Sequence, residues 1–428
     1  MLTFLKNVFK KGELRRKVIF TLGILFVYRL GAGITIPGVN VGSLSSSDAT
    51  NGIFGIMNLL GGGTLERFSL FALGVSPYIT SSIIIELLSM DVIPALTRWR
   101  KEGNTGKKKK DRVTRVLTLL LAALQGGVLT YAFDTSYNIL VDTSIWSYIY
   151  VVLIMMAGSM LAIWLGDQIT NKGIGNGQSL LIMASIVLSL PAVFTGAYNA
   201  FVTSASYASW LGILFFICYL IMYLLVIVGI VWITLAERRI PIQYANKTVS
   251  AYKAKESYLP LKINYAGVMP VIFASMLLTI PSIIVNLIGN QSAIDFVSNY
   301  ILYTSPTGFV LYIALIVFFS YFYTFMAMNP EEMSKDLNKS GAYIPGVRPG
   351  VETTKYINKV VGRLTLVGSI FIAVLAGLPI LISNLTGLSQ SIAIGGTGIL
   401  IVVGVAIETF KQIQSGMVAR TYSHRRMK

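Results

Sequence analysis

Few side chains in this sequence are of a type that breaks or makes bonds. The single histidine, His424, stands close to the last residue, Lys428. Acid–base or triad chemistry needs a histidine that is buried and oriented, which a chain end rarely supplies. The single cysteine, Cys218, lies in an apolar block with no second cysteine to bridge, so neither a disulfide nor a zinc or iron–sulfur site is expected. No Gly-x-x-x-x-Gly-Lys-[Ser/Thr] stretch is present, so energy for any coupled work must come from a partner or a gradient. The run Gly173-Ile174-Gly175-Asn176-Gly177 has the glycine content of a dinucleotide loop. No strand precedes it and its spacing differs, and a tight turn opening a helix fits it better. Two ionisable residues stand inside apolar blocks, Arg29 in the first and Glu86 in the second. Burying either costs about 2.5–3.5 kcal/mol, which marks an internal polar contact, an ion site, a buried pair or a side chain reaching for an interface. These residues do not assemble into a catalytic or metal-binding constellation, and neither enzyme activity nor a cofactor is expected.

The elements that carry these residues belong in lipid. Of 428 residues, 54% are hydrophobic and 12% charged, against roughly 25% charged in soluble domains, and mean hydropathy is +0.69. The apolar residues fall into ten blocks, at 18–37, 70–92, 113–133, 147–166, 178–196, 210–235, 266–289, 308–328, 360–383 and 392–411. Each is close to the roughly 20 residues that a helix needs to cross a bilayer. The first is too long for the apolar core of a signal peptide and lacks a small-residue cleavage site.

The net charge of +17 is distributed as a topology signal. Residues 1–17 hold six Lys or Arg, 93–115 nine, 236–265 six, 330–363 six and the tail from 411 five, whereas 134–146, 197–209, 290–307 and 384–391 hold none. The basic segments face the cytoplasm. Ten spans divide as five and five, and an odd number per half gives the halves opposite polarity. The expected fold is therefore all-α: ten transmembrane helices in two pseudo-symmetric inverted five-helix halves, with both termini cytoplasmic. The halves are read as 1–205 and 206–428. Loops 93–115 and 236–265 are more basic than topology requires, which suits an acidic partner such as ribosomal RNA or a motor protein.

Two further patterns precede any family argument. The apolar run Ile53–Leu60 ends at Gly61-Gly62-Gly63 and is too short to span, so it is expected to fold back into the protein or lie at an interface. The isoleucine pairs Ile79/Ile83 and Ile182/Ile186 each share a helix face at i, i+4. Taken alone they read as core or lipid-facing positions.

Five stretches then resemble the SecY family, the channel-forming subunits of the bacterial Sec translocon, along essentially the whole chain. They are Gly62–Ile85, Gly173–Gly177, Leu259–Pro270, Lys339–Gly350 and Gly395–Val403. The resemblance implies an hourglass channel that passes unfolded secretory polypeptides across a bacterial cell membrane. It also implies release of membrane segments sideways, between spans two and three and spans seven and eight. It implies a mid-membrane ring of Ile79, Ile83, Ile182, Ile186, Ile272 and Ile401, which excludes ions by dewetting. A plug at about 52–65 presents Ile53, Phe54, Met57 and Leu60, with the glycines as hinge. Docking loops 236–265 and 330–359 offer Arg238, Arg239, Lys247, Lys253, Lys255 and Arg348 to the ribosome and to the SecA motor ATPase, Arg348 above all for motor coupling. The further partners implied are SecE, SecG, signal sequences, nascent chains and membrane lipid. Many members carry Gln where this chain has Glu86. A five-plus-five secondary transporter is the alternative, and it would need a polar midplane site for which the spans offer few residues.

Overall fold

The computed structural model describes residues 12–40, 61–89, 92–203, 209–244, 257–288, 290–303, 305–386 and 390–426. In chain order, helix α1 is Gly12–Ala32, α2 Ser76–Leu88, α3 Pro94–Lys101, α4 Asn104–Tyr137, α5 Ile145–Lys172, α6 Gly177–Tyr198 and α7 Ser209–Leu235. Strands β1 (Glu237–Tyr244) and β2 (Ser257–Lys262) follow. Then come α8 Met269–Ile288, α9 Gln291–Phe296, α10 Pro306–Ala327, α11 Pro330–Lys339, β3 Ala342–Tyr343, α12 Val351–Thr386 and α13 Gln390–Arg426. A π-helical turn extends α6 over Asn199–Thr203.

Among the described residues, seven helices are long and apolar enough to cross a membrane, in α4, α5, α6, α7, α10, α12 and α13. Two shorter apolar helices, Ser76–Leu88 and Met269–Ser282, fall in the second and seventh blocks. Helix α1 covers the first block only as far as Ala32, with its basic start and Arg29 on one helix. The second block is helical only from Ser76, because Gly74 adopts φ +52 and Pro77 opens the helix; proline is favoured in the first turn, where its missing N–H has no partner to lose.

Helix starts follow local sequence. Asn176 caps α6, accepting from the N–H of Gln178 at 3.1 Å. Ser305 caps α10 from the Gly308 N–H at 3.1 Å, and Asn329 caps α11 from the Glu331 N–H at 3.1 Å. Each side chain satisfies a donor that the first turn leaves open. Buried hydroxyls are mostly absorbed within their own helices. Ser81 donates to the Pro77 carbonyl at 2.8 Å and Thr118 to that of Thr114 at 2.7 Å, so they pack as small residues without an unmet polar group.

The main core runs through the membrane region and joins residues from α1, α2, α5, α6, α7, α8, α10, α12 and α13. A second cluster, with Phe68, Leu129, Phe133, Ile139 and Met155, packs the turns of 61–75 against α4 and α5. A third lies under the basic loops, where Ile240, Ile242 and Leu261 meet Leu337, Ile357 and Val361. Above it stands the sheet β2-β1-β3, in which β1 pairs antiparallel with both neighbours. The loop read as a docking segment is thus a hairpin with its own small core. In the register, Pro260 faces Arg239 and Pro241 faces Tyr258. Two positions apart, these are pairs of one type, and proline permits only the non-hydrogen-bonded type. Pro260 therefore removes a donor from the free edge of β2, which blunts it against adventitious pairing.

Candidate functional site

Helices α2, α6 and α8 bring isoleucines from widely separated parts of the chain to one place. Ile79, Ile182 and Ile272 line a funnel-like cleft of about 440 Å³ whose other walls carry Glu86, Lys107, Asp111, Arg115 and Asp167. The same three residues also line a second, much smaller space of about 10 Å³. That is room for a single water at most. The three side chains are thus the partition between the two spaces. Ile83, Ile186 and Ile401 are buried in the same cluster, at 3%, 0% and 4% exposure. They line neither space, and pack behind the partition.

The far space is built from the glycine-rich turn. Gly61, Leu73 and Gly74 line it together with Tyr28, Ser185 and Met276. Gly62 has φ +75, and a Cβ there would stand 2.7 Å from the Ser185 carbonyl oxygen. Only glycine satisfies both the left-handed backbone and this approach. Ser185 lies on α6 between Ile182 and Ile186, so the turn is seated three residues along α6 from the partition residue Ile182. The Ser185 hydroxyl also shares a 3.1 Å hydrogen bond with Tyr28, whose ring stacks on Phe71 at 4.8 Å. Ile53, Phe54, Met57 and Leu60, expected from the resemblance to form a plug, lie outside the described residues; Gly61 to Leu65 are the described end of that segment.

The funnel wall is charged. Arg115 of α4 binds Asp167 of α5 at 2.7 Å, and Gln178 of α6 donates to the same carboxylate at 3.4 Å. Glu86, on the same helix as Ile79, lies 3.6 Å from the Lys110 ammonium of α4. It also accepts from the Tyr323 hydroxyl of α10 at 3.3 Å. The Tyr323 ring packs edge-on to Phe273 of α8 at 4.8 Å. Glu86 therefore joins α2 and α4 to α10, across the seam where α2 also meets α8 through Ser76 and Met276 at 3.8 Å. Spacing along the chain carries no sign of the Glu86–Tyr323 pair, which closes over 237 positions. Arg29 is placed differently: it is exposed, in the last turn of α1 beside Phe26 and Leu30, and no partner for it occurs among the described residues.

On the cytoplasmic face, Arg238 and Arg239 are exposed on β1. Arg239 pairs with Glu237 at 3.0 Å and lies 4.8 Å over the Tyr258 ring. Lys247, Lys253 and Lys255 lie outside the described residues. Exposed Arg348 shares an open cleft of about 530 Å³ with Lys355 and Lys359. Its loop is pinned by Ser334, which donates to the Gly350 carbonyl at 2.9 Å, and by Thr353, which donates to that of Arg348 at 2.9 Å. Gly173–Gly177 forms a turn and cap, with Gly175 at φ +85 and Asn176 as the cap residue.

A helical membrane protein whose charged funnel ends at apolar side chains from three helices has the build of a membrane channel. The fold agrees: it matches the solved structure of a protein-conducting channel with a TM-score of 0.65 at 18% identity, covering 95% of this chain and 93% of that one. It also matches Sec61 in a canine ribosome–channel complex from the endoplasmic reticulum, with a TM-score of 0.62 at 17% identity over 95% of this chain and 93% of that one. In sequence, the SecY family model matches residues 69–410. The protein translocase subunits SecY of Halalkalibacterium halodurans and of Staphylococcus aureus are each 42% identical, over 99% of both chains. The chain belongs to the SecY family.

Proposed function

We propose that this chain forms the polypeptide-conducting channel of a protein translocase in a bacterial cell membrane. The reading is carried by the partition of Ile79, Ile182 and Ile272 between funnel and far space, in a chain of this family. Apolar walls too close for a water wire keep ions out. The same walls make no sequence-specific hydrogen bond, so they grip no particular client. Ile83, Ile186 and Ile401 complete the ring as the packing behind these three. Residues 1–205 and 206–428 act as two halves that part along the seam between α2 and α4 on one side and α8 and α10 on the other. A segment in that seam partitions to lipid by its apolar content, at about 0.8 kcal/mol per buried CH₂.

The channel contains no nucleotide loop, so its driving force is external. Arg238, Arg239 and Arg348, among the described cations of the two docking loops, serve the ribosome and the SecA motor. The relatives' structures support the first of these: Sec61, and the Ssh1 complex of yeast, were each solved with a ribosome. SecE and SecG are proposed as companion subunits. The segment ending at the glycine turn acts as the plug; a matched SecY structure is described as having a plug domain that stabilises the closed state and maintains a membrane seal.

The test is site-specific crosslinking from position 79 or 83 in intact membranes that carry a stalled secretory chain. A crosslink to that chain, lost when its signal segment is deleted, is the expected result. Strong crosslinks at lipid-facing Leu225 with none at 79 or 83 would overturn the reading.

A further inference from the structure

We infer that Glu86 is the residue through which this channel reads the basic end of a client's signal segment, by exchanging Lys110 for a client cation and so releasing Tyr323. The inference rests on the translocase reading above. Of the funnel carboxylates, Asp167 is held at hydrogen-bond distance by Arg115, 2.7 Å, and is also reached by Gln178. Asp111 is exposed near the mouth. Glu86 differs from both. Its contact with Lys110 is 3.6 Å, longer than its 3.3 Å bond from Tyr323 and too long to be a hydrogen bond, so the pair attracts without a formed bond. Both side chains are largely buried, at 25% exposure for Lys110 and 18% for Glu86. A charge removed from water in this way gains more from a partner of better geometry than a solvated one does. Lys110 ends the run Lys107–Lys110 at the exposed start of α4, and its flexible stem can swing to solvent.

The spacing suits a signal segment, which is a basic stretch followed by about 7–15 apolar residues. Ile79 lies two helical turns from Glu86, roughly 10 Å at 1.5 Å per residue. A client cation at Glu86 therefore starts its apolar run beside the seam and brings it down to the isoleucines. The other acceptor role of Glu86 is the bond from Tyr323. A client ammonium or guanidinium that takes up the carboxylate competes with that hydroxyl and frees α10 from α2. Recognition of charge and loosening of the seam are then one event.

The experiment uses the complete translocase in membrane vesicles and two secretory clients that differ only in the signal's basic stretch, three lysines against three glutamines. The wild type is expected to favour the lysine client. Glu86→Gln keeps a partner for Tyr323 but removes the charge, and is expected to reduce that preference about tenfold, the ratio by which a charge-assisted bond outweighs a neutral one. Lys110→Gln vacates the carboxylate and is expected to preserve or increase the preference. Tyr323→Phe is expected to speed both clients alike, with the preference kept. An unchanged preference in Glu86→Gln would refute the inference. So would a loss in Lys110→Gln equal to that in Glu86→Gln, since a purely structural ion pair suffers alike from either change. Equal transport of both clients by the wild type refutes it too, while transport of neither refutes the translocase reading itself.

Discussion

Gly62 seats the glycine-rich turn against the α6 backbone, the contact proposed to keep the channel closed. Its φ of +75 costs an L-residue about 1–2 kcal/mol. A Cβ would stand 2.7 Å from the Ser185 carbonyl, an atom of helix backbone that cannot rotate away, and such overpacking costs about 1–3 kcal/mol. Gly62→Ala thus penalises the seated turn by about 2–5 kcal/mol, and each 1.4 kcal/mol is a factor of ten. A channel resting about 1% open, within the usual range for a minor state, would then be open roughly a quarter of the time or more. The assay is ion conductance in planar bilayers. Gly63→Ala is the control: that residue has φ +78, but no atom lies within 4 Å of the added Cβ, so only the backbone cost applies. Gly62→Ala should leak well beyond Gly63→Ala. Equal, wild-type conductance in both, with the protein folded, would refute the idea that seating this turn against α6 closes the channel.

Two further outcomes follow from the same geometry. Ile272→Ser puts a hydroxyl on the partition itself and should raise resting conductance, whereas Ile401→Ser, packed behind it, should destabilise by about 2–5 kcal/mol as other buried truncations do with a smaller leak. Conductance and thermal unfolding measured on both variants separate the two effects. Arg348→Glu reverses an exposed charge whose loop is held by hydroxyl bonds from Ser334 and Thr353 to its carbonyls. Motor-driven transport should fall sharply while the amount of assembled complex is unchanged, which quantitative blotting and an in vitro transport assay can check.

The charge map and the apolar blocks made the architecture readable in advance because a bilayer imposes one-dimensional rules. A span must be long and apolar, and its flanking Lys and Arg record which side it faces. Helix α1 shows the limit of those rules. Arg29 falls at mid-block by position, yet it is exposed in the last turn of its helix, since length alone says nothing of where a helix ends. The isoleucines show it again. Pairs at four-residue spacing predict a shared face, but the same spacing serves core, lipid and partition. Ile79 and Ile83 share a helix, and only Ile79 reaches the two spaces.

Sequence by itself determined the lipid setting, the orientation, the glycine turn and the absence of a nucleotide loop, all of which depend on composition or near neighbours. Tertiary structure alone decided which isoleucines face one another, that Ser185 lies against Gly62, and that Glu86 answers to both Lys110 and Tyr323. Those contacts join residues about 90 to 240 positions apart, or hold a carboxylate between helices. Such pairings are set by how whole helices pack, and no local pattern of side chains encodes that.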